Sequence, residues 1–147
     1  MATGDLKSLF SGLLRLQVRS VQRMGGGRNS QVYRLECIDS SRYAAKRYFR
    51  DSLDPRDRLG VEFSSLQYLW DKGVTCVPRP VAADVDRGCA IYELIEGVPI
   101  SSSQVTEADI DFAAEFLADL RTLAQDEGGS RLPAASEACF SVQTIID

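Results

Sequence analysis

Few residues in this sequence have the types and spacing that chemistry needs. Three consecutive glycines, Gly25-Gly26-Gly27, precede the β-rich run Ser30-Gln31-Val32-Tyr33-Arg34-Leu35. A turn at Asp39-Ser40-Ser41 then leads to a second such run, Tyr43 to Phe49, which carries Lys46. Glycines without a Cβ let backbone N–H groups come close to a ligand. A dinucleotide fingerprint or a P-loop would need a helix directly after the glycines, so that its N-terminus could hold the phosphates. Here a strand follows, which excludes both. Glycines between strands, with a lysine on the strand after next, match a hairpin flap lying over phosphates. The same residues are compatible with an ordinary glycine turn and a solvated lysine.

The next element supplies a partner for that lysine. Asp54-Pro55 has the N-cap and N1 chemistry of a helix start, and the spacing predicts a helix from there to about Asp71, ended by Gly73. Its apolar stripe is Leu59, Phe63, Leu66, Leu69 and Trp70, and Glu62 falls on that same stripe. A carboxylate facing a core is costly unless paired, so Glu62 calls for a cation. Lys46 on the preceding strand, flanked by small Ala44 and Ala45, is the natural partner. The other reading puts Glu62 at the stripe's edge, facing water.

The remaining elements must hold these groups in place. Leu6, Leu9, Phe10, Leu13 and Leu14 repeat at helical spacing behind Asp5 as N-cap, predicting a packing helix. Leu16, Val18 and Val21 read as a strand entering the glycines, with a change of spacing near Ser20 that predicts a bulge. After the rigid Val77-Pro78-Arg79-Pro80, two strands, Val81 to Val85 and Cys89 to Leu94, are joined by Asp86-Arg87-Gly88. The second of these ends in Glu93-Leu94-Ile95-Glu96-Gly97-Val98-Pro99, a hinge. Ser101 to Gln104 reads as a polar linker, and Thr106 with Asp109 as a capping box opening a helix with Ile110, Ala113, Ala114, Leu117 and Leu120 on one face. Leu132 to Ala138 reads as loop. A helical pattern beginning at Ser141 stops just past Ile145-Ile146, as if the chain were cut from something longer.

Composition narrows the function. A chain of 147 residues, 44% hydrophobic and 26% charged, is long enough for a core. Its net charge of -4 and dispersed basic residues, Arg47 and Arg50 among them, give no nucleic-acid footprint. There is no apolar run of membrane-spanning length and no signal-peptide order, so a cytoplasmic protein is expected. The four cysteines form no C-x-x-C pair and histidine is absent, which argues against a structural zinc and against any histidine-dependent triad.

Taken together these segments resemble the ATP-dependent small-molecule kinases grouped as aminoglycoside phosphotransferase and choline-kinase-like enzymes. The likeness is carried by Asn29-Ser30-Gln31-Val32-Tyr33-Arg34-Leu35, Lys46, Glu62 with Leu66 and Leu69 behind it, Val77-Pro78-x-Pro80, and Tyr92-Glu93-x-x-Glu96-Gly97, in the family's order and spacing. It spans roughly residues 15 to 125. It implies an α+β fold: a protein-kinase-like N-lobe with a five-stranded antiparallel sheet and one long helix over residues 1–96, then hinge, linker and the helical start of a truncated C-lobe over 97–147.

The resemblance also implies roles. Gly25, Gly26, Gly27 and Ser30 would line the flap over the phosphates, Lys46 would reach the α- and β-phosphates of ATP, and Glu62 would hold Lys46. Glu93 through its carbonyl and Ile95 through its N–H would meet the adenine edge, with Tyr92 at the back wall. The family's second lobe carries a His-x-Asp loop, a downstream Asn and a magnesium-holding Asp. This chain has no histidine, so catalytic and metal-binding residues are expected outside it, and magnesium would come from the missing lobe. Asp109, Asp111 and Asp119 lie on an exposed helix face and are not candidates for those roles. The flap has Ser30 in place of a third glycine. The acceptor, a small-molecule hydroxyl, and the oligomeric state are not legible. The alternative function is a non-catalytic kinase-like binding or regulatory module.

Overall fold

A computed structural model of the chain describes residues 3–27, 29–49 and 56–133. They divide into two compact units, the chain passing from the first to the second between Leu94 and Ile95. The first is built on one antiparallel sheet of β1 (Val18–Gly26), β2 (Ser30–Cys37), β3 (Arg42–Tyr48), β4 (Pro80–Asp84) and β5 (Cys89–Glu93), in the order β1-β2-β3-β5-β4. The expected bulge is present as a register shift between Val18 and Ser20 on β1. The β4–β5 turn closes on Gly88 at φ +63°, with the Arg87 N–H on Asp84 Oδ1 at 2.9 Å.

Alternation along the strands divides the interior into two faces. On one face helix α1 (Thr3–Leu14) lays Leu6 and Phe10 over Val18, Tyr33, Leu35, Cys37, Ala45, Cys89 and Ile91. On the other, helix α2 (Arg58–Asp71) sets Leu59, Phe63 and Leu66 against Ala44, Tyr48, Ala83, Ala90 and Tyr92. Strand β5 is therefore buried on both sides from Cys89 to Tyr92. The middle strand β3 has β2 on one edge and β5 on the other, so its backbone is fixed by two ladders.

Two helix starts differ from the sequence reading. Asp5 lies inside the first turn of α1 rather than capping it, where its charge still favours the positive end of the helix dipole. Helix α2 begins at Arg58 with Asp57 as its N-cap, accepting from the Gly60 N–H at 2.9 Å. Asp54-Pro55 lies outside the described residues. The cap chemistry is the one expected, moved one turn along. Gly73, at φ +85°, follows the end of α2 as predicted.

The second unit, Ile95–Pro133, holds a short 3-10 turn at Ser102–Gln104 where a linker was expected, then α3 (Glu107–Gln125) and a further 3-10 turn at Gly129–Arg131. The capping box is present: Asp109 N–H donates to Thr106 Oγ1 at 3.3 Å and Thr106 N–H to Asp109 Oδ2 at 2.8 Å. Hydrogen bonds from the Thr106 hydroxyl and N–H hold the Asp109 carboxyl below its ordinary range. None of the α3 residues is buried, and Ile110, Phe112 and Leu117 are exposed. The helical pattern from Ser141 lies outside the described residues. No helix among the described residues is long and apolar enough to cross a membrane.

The Asp57 cap gives a test of the helix that carries Glu62. Asp57→Ala should destabilise the chain by about 1 kcal/mol in urea denaturation, with the slope unchanged. No change would mean that α2 is fixed by packing alone.

Candidate functional site

The register of the sheet brings the chemical residues into one line. Gly25 on β1 pairs with Val32 on β2, Val32 with Lys46 on β3, and Lys46 with Ala90 on β5. Neighbouring strands are about 4.8 Å apart, so the backbone of Gly25 lies about 10 Å across the sheet from that of Lys46. Gly26 pairs with Gln31, and the Gly27 N–H closes the hairpin on the Ser30 carbonyl at 3.0 Å. Ser30 opens β2 opposite Tyr48.

Neither packing nor backbone conformation requires glycine at positions 25 and 27. Among the described residues a Cβ built on either one meets nothing within 4 Å, and neither has positive φ. The contrast is Gly60, where a Cβ would stand 2.1 Å from Asp57 Oδ2. Approach from outside the protein is thus open along the β1–β2 hairpin.

Lys46 and Glu62 make the pair that the helix stripe calls for. Lys46 Nζ donates to Glu62 Oε2 at 2.5 Å. Lys46 comes from the middle of the sheet and Glu62 from the α2 turn that crosses it, so the bond ties helix to strand. Their side chains remain 26% and 36% exposed, which makes this a cleft pair rather than a buried one. Solvent therefore limits its contribution.

The sequence reading missed what lies beneath the lysine. Tyr48, two residues along β3 and on the same face, puts its ring under Lys46 Nζ at 4.9 Å. Its hydroxyl meets that of Tyr92 at 2.8 Å, and both residues are buried. Tyr92 in turn packs on Phe63 of α2, ring centroids 6.0 Å apart. The period-two rule applied to Lys46 and Tyr48 was a usable signal, but a cross-strand pairing of Tyr48 with Tyr92 needs the β3–β5 adjacency, which sequence order hides. Burial drives the Tyr48 phenol far above its ordinary pKa, and Tyr92 and the Glu62 carboxylate push the same way. Burial likewise raises Tyr92, with Glu62 adding to it.

Of the other expected residues, Glu93 ends β5 with its N–H held by the Arg79 carbonyl at 2.8 Å and its side chain exposed. Ile95 is exposed and begins the second unit. The structure thus brings Gly25, Lys46, Glu62 and Tyr92 to one face of the first unit, with Glu93 at the end of the strand that carries Tyr92.

A sheet in this strand order, with a lysine from its middle strand paired to a glutamate from the helix across its face, is a kinase-like N-lobe. The chain belongs to the phosphotransferase enzyme family, which it matches over residues 20–138. Solved structures show the same fold at low identity. A putative fructosamine-3-kinase from Thermobifida fusca superposes with a TM-score of 0.57 at 18% identity, over 68% of this chain and 34% of that one. The Rio2 kinase of Chaetomium thermophilum, in its ADP/Mg2+-phosphoaspartate complex, gives 0.59 at 22% identity over 83% and 41%. A Mycobacterium tuberculosis protein in complex with erythromycin gives 0.54 at 19% over 90% and 45%. The chain spans less than half the length of each. No curated protein matches it.

Two predictions follow from the paired groups. Glu62→Ala, which leaves Lys46 without its anion, should cost about 1–2 kcal/mol in denaturant melts, below the ~3–5 of a fully buried pair, and Glu62→Gln should cost less. Equal, negligible costs would make Glu62 an ordinary surface residue.

The tyrosines predict behaviour in alkali. Their folded-state pKa values lie above the unfolded value of about 10, so the stability they confer is complete below about pH 10. It falls as pH rises beyond that, because only the unfolded chain can ionise them. Phenolate absorbance should show late-titrating groups that ionise together with unfolding and are lost in the Tyr48→Phe, Tyr92→Phe double variant. Titration of all five tyrosines near pH 10 with the fold intact would contradict the buried pair.

Proposed function

We propose that this chain is the nucleotide-binding N-lobe of an ATP-dependent phosphotransferase whose acceptor is a small-molecule hydroxyl. Residues 1–96 form the lobe, and 97–147 the hinge, linker and helical start of a second lobe. The observation that carries this reading is the Lys46–Glu62 pair, set in the same cross-strand row as Gly25. Family membership and the solution of a fold relative as an ADP/Mg2+ complex support it.

Each residue then has a physical task. The backbone of Gly25, Gly26 and Gly27, with Ser30, covers the phosphates, where the open space over Gly25 and Gly27 fits a ligand's approach. Lys46 neutralises the α- and β-phosphates, and Glu62 holds its ammonium at the right height above the sheet. The Tyr48 ring supports the same ammonium from below. Tyr92 forms the back wall, with the Glu93 carbonyl and the Ile95 N–H meeting the adenine edge. ATP supplies the phosphoryl group, and on this reading the second lobe holds magnesium and the catalytic loop. Positioning and electrostatics dominate phosphoryl transfer, so the isolated chain should bind nucleotide weakly and transfer nothing.

Titrating the 15N-labelled chain with ADP and ATP tests this. Shift changes at Gly25 to Gly27, Lys46 and residues 93–95 are expected at millimolar nucleotide. They should weaken in Gly27→Ala, whose stability is unchanged or slightly raised because the substitution meets no atom and restricts the unfolded chain. No response at these positions, or phosphotransfer that persists in Lys46→Ala, would overturn the reading.

A further inference from the structure

The first unit has a second concave feature, on the sheet face away from Lys46. Arg47 follows Lys46 on β3 and so points to the α1 side, as its neighbour Ala45 does. There a cleft of about 730 Å3 opens between α1 and the sheet, floored by half-buried Leu9 and Leu13 and rimmed by Ser8, Asp5, Arg47 and Arg87. That volume lies within the range of about 300–1,000 Å3 typical of small-ligand sites. No role in nucleotide binding reaches this face.

The charges along the rim are unequal in their partners. Arg87 is paired: its guanidinium Nη1 meets Asp84 Oδ2 at 3.1 Å while its own backbone N–H is held by the same carboxylate. Arg47 is half-buried, and among the described residues no carboxylate stands within ion-pair distance of it. Asp5, on the opposite wall, already has a partner of its own. A partly desolvated guanidinium is most stable with an anion, and its planar fork of donors suits a carboxylate or a phosphate. Leucines below and arginines at the edge together define an amphipathic pocket.

We propose that this cleft is a second binding site, for a small amphipathic anion: one carboxylate or phosphate held by Arg47 and Arg87, with an apolar body on Leu9 and Leu13. The site is independent of the nucleotide reading, because its residues lie on the other face of the sheet. It adjoins Lys46 through a single peptide bond on β3, so an anion that moves Arg47 acts on the strand that carries the paired lysine.

Gly12 provides a clean blocking variant. It lines the cleft from α1, and a Cβ there meets nothing within 4 Å. Gly12→Leu therefore fills the cleft while improving helix propensity, and the protein stays folded. Calorimetry on the full chain would use phenyl phosphate, benzoate, inorganic phosphate and neutral benzyl alcohol as probes. Phenyl phosphate or benzoate should bind more tightly than either inorganic phosphate or benzyl alcohol, and the better of the two identifies the head group. Arg47→Gln should weaken that binding about tenfold, and Gly12→Leu should abolish it. ATP should not compete. Failure of both aromatic anions to bind, or binding unchanged by Arg47→Gln and Gly12→Leu, overturns the proposal. Displacement by ATP overturns it too, by assigning the probe to the Lys46 face.

Discussion

The ion pair between Lys46 and Glu62 is the constraint on which the arrangement of the first unit depends. An ammonium on the central strand of a sheet is unfavourable where helix α2 packs, and a carboxylate on the apolar stripe of that helix is equally so. Bringing the two to 2.5 Å offsets both costs, in a cleft still partly open to water, and favours one crossing point of the helix on the sheet. The apolar contacts of Leu59, Phe63 and Leu66 would tolerate a small slide of α2. The ion pair adds a preference for one position, because its hydrogen-bond geometry weakens as the groups move apart.

Around the pair, each layer narrows the freedom of the one before. The Tyr48 ring lies under the ammonium, the Tyr92 hydroxyl holds Tyr48, and Phe63 returns the contact to α2. This closes a ring of interactions from strand to helix to strand. Two polar hydroxyls can lie in the core there because each satisfies the other. The β1–β2 hairpin, by contrast, shows no packing demand at Gly25 or Gly27. The unit is closely packed around the charge pair and open over the hairpin glycines.

Much of this was legible in the sequence, for identifiable reasons. Glycines followed by a strand, rather than by a helix, ruled out two phosphate-binding folds. Glu62 on an apolar stripe was a local conflict, and local conflicts tend to mark functional positions. The strands, the bulge near Ser20, the end of α2 at Gly73 and the Thr106–Asp109 cap all follow from period, turn and cap chemistry. The start of α2 was read at Asp54-Pro55, whereas the cap among the described residues is Asp57, an aspartate that the sequence reading passed over. Asp5 was read as a cap when it lies within the first turn, where an acidic residue is equally favourable. The Tyr48–Tyr92 bond was not legible, since β3 and β5 are neighbours only after a crossover through α2 and β4. The cleft on the α1 face depends on the same adjacency: Arg47 and Arg87 are far apart in the chain and line it together only across the β3–β5 pairing.

The arrangement of this face turns on whether Lys46 and Glu62 are energetically coupled or only close. A double-mutant cycle measures this directly, using denaturant melts of the wild type, Lys46→Met, Glu62→Met and the double variant. Each single change leaves one charge without its partner, whereas the double change leaves none. Coupled charges predict non-additivity of about 1 kcal/mol, the double variant costing less than the sum of the two single changes by that amount. Additivity within error would contradict it, and with it the roles given to Lys46 and Glu62 at the nucleotide.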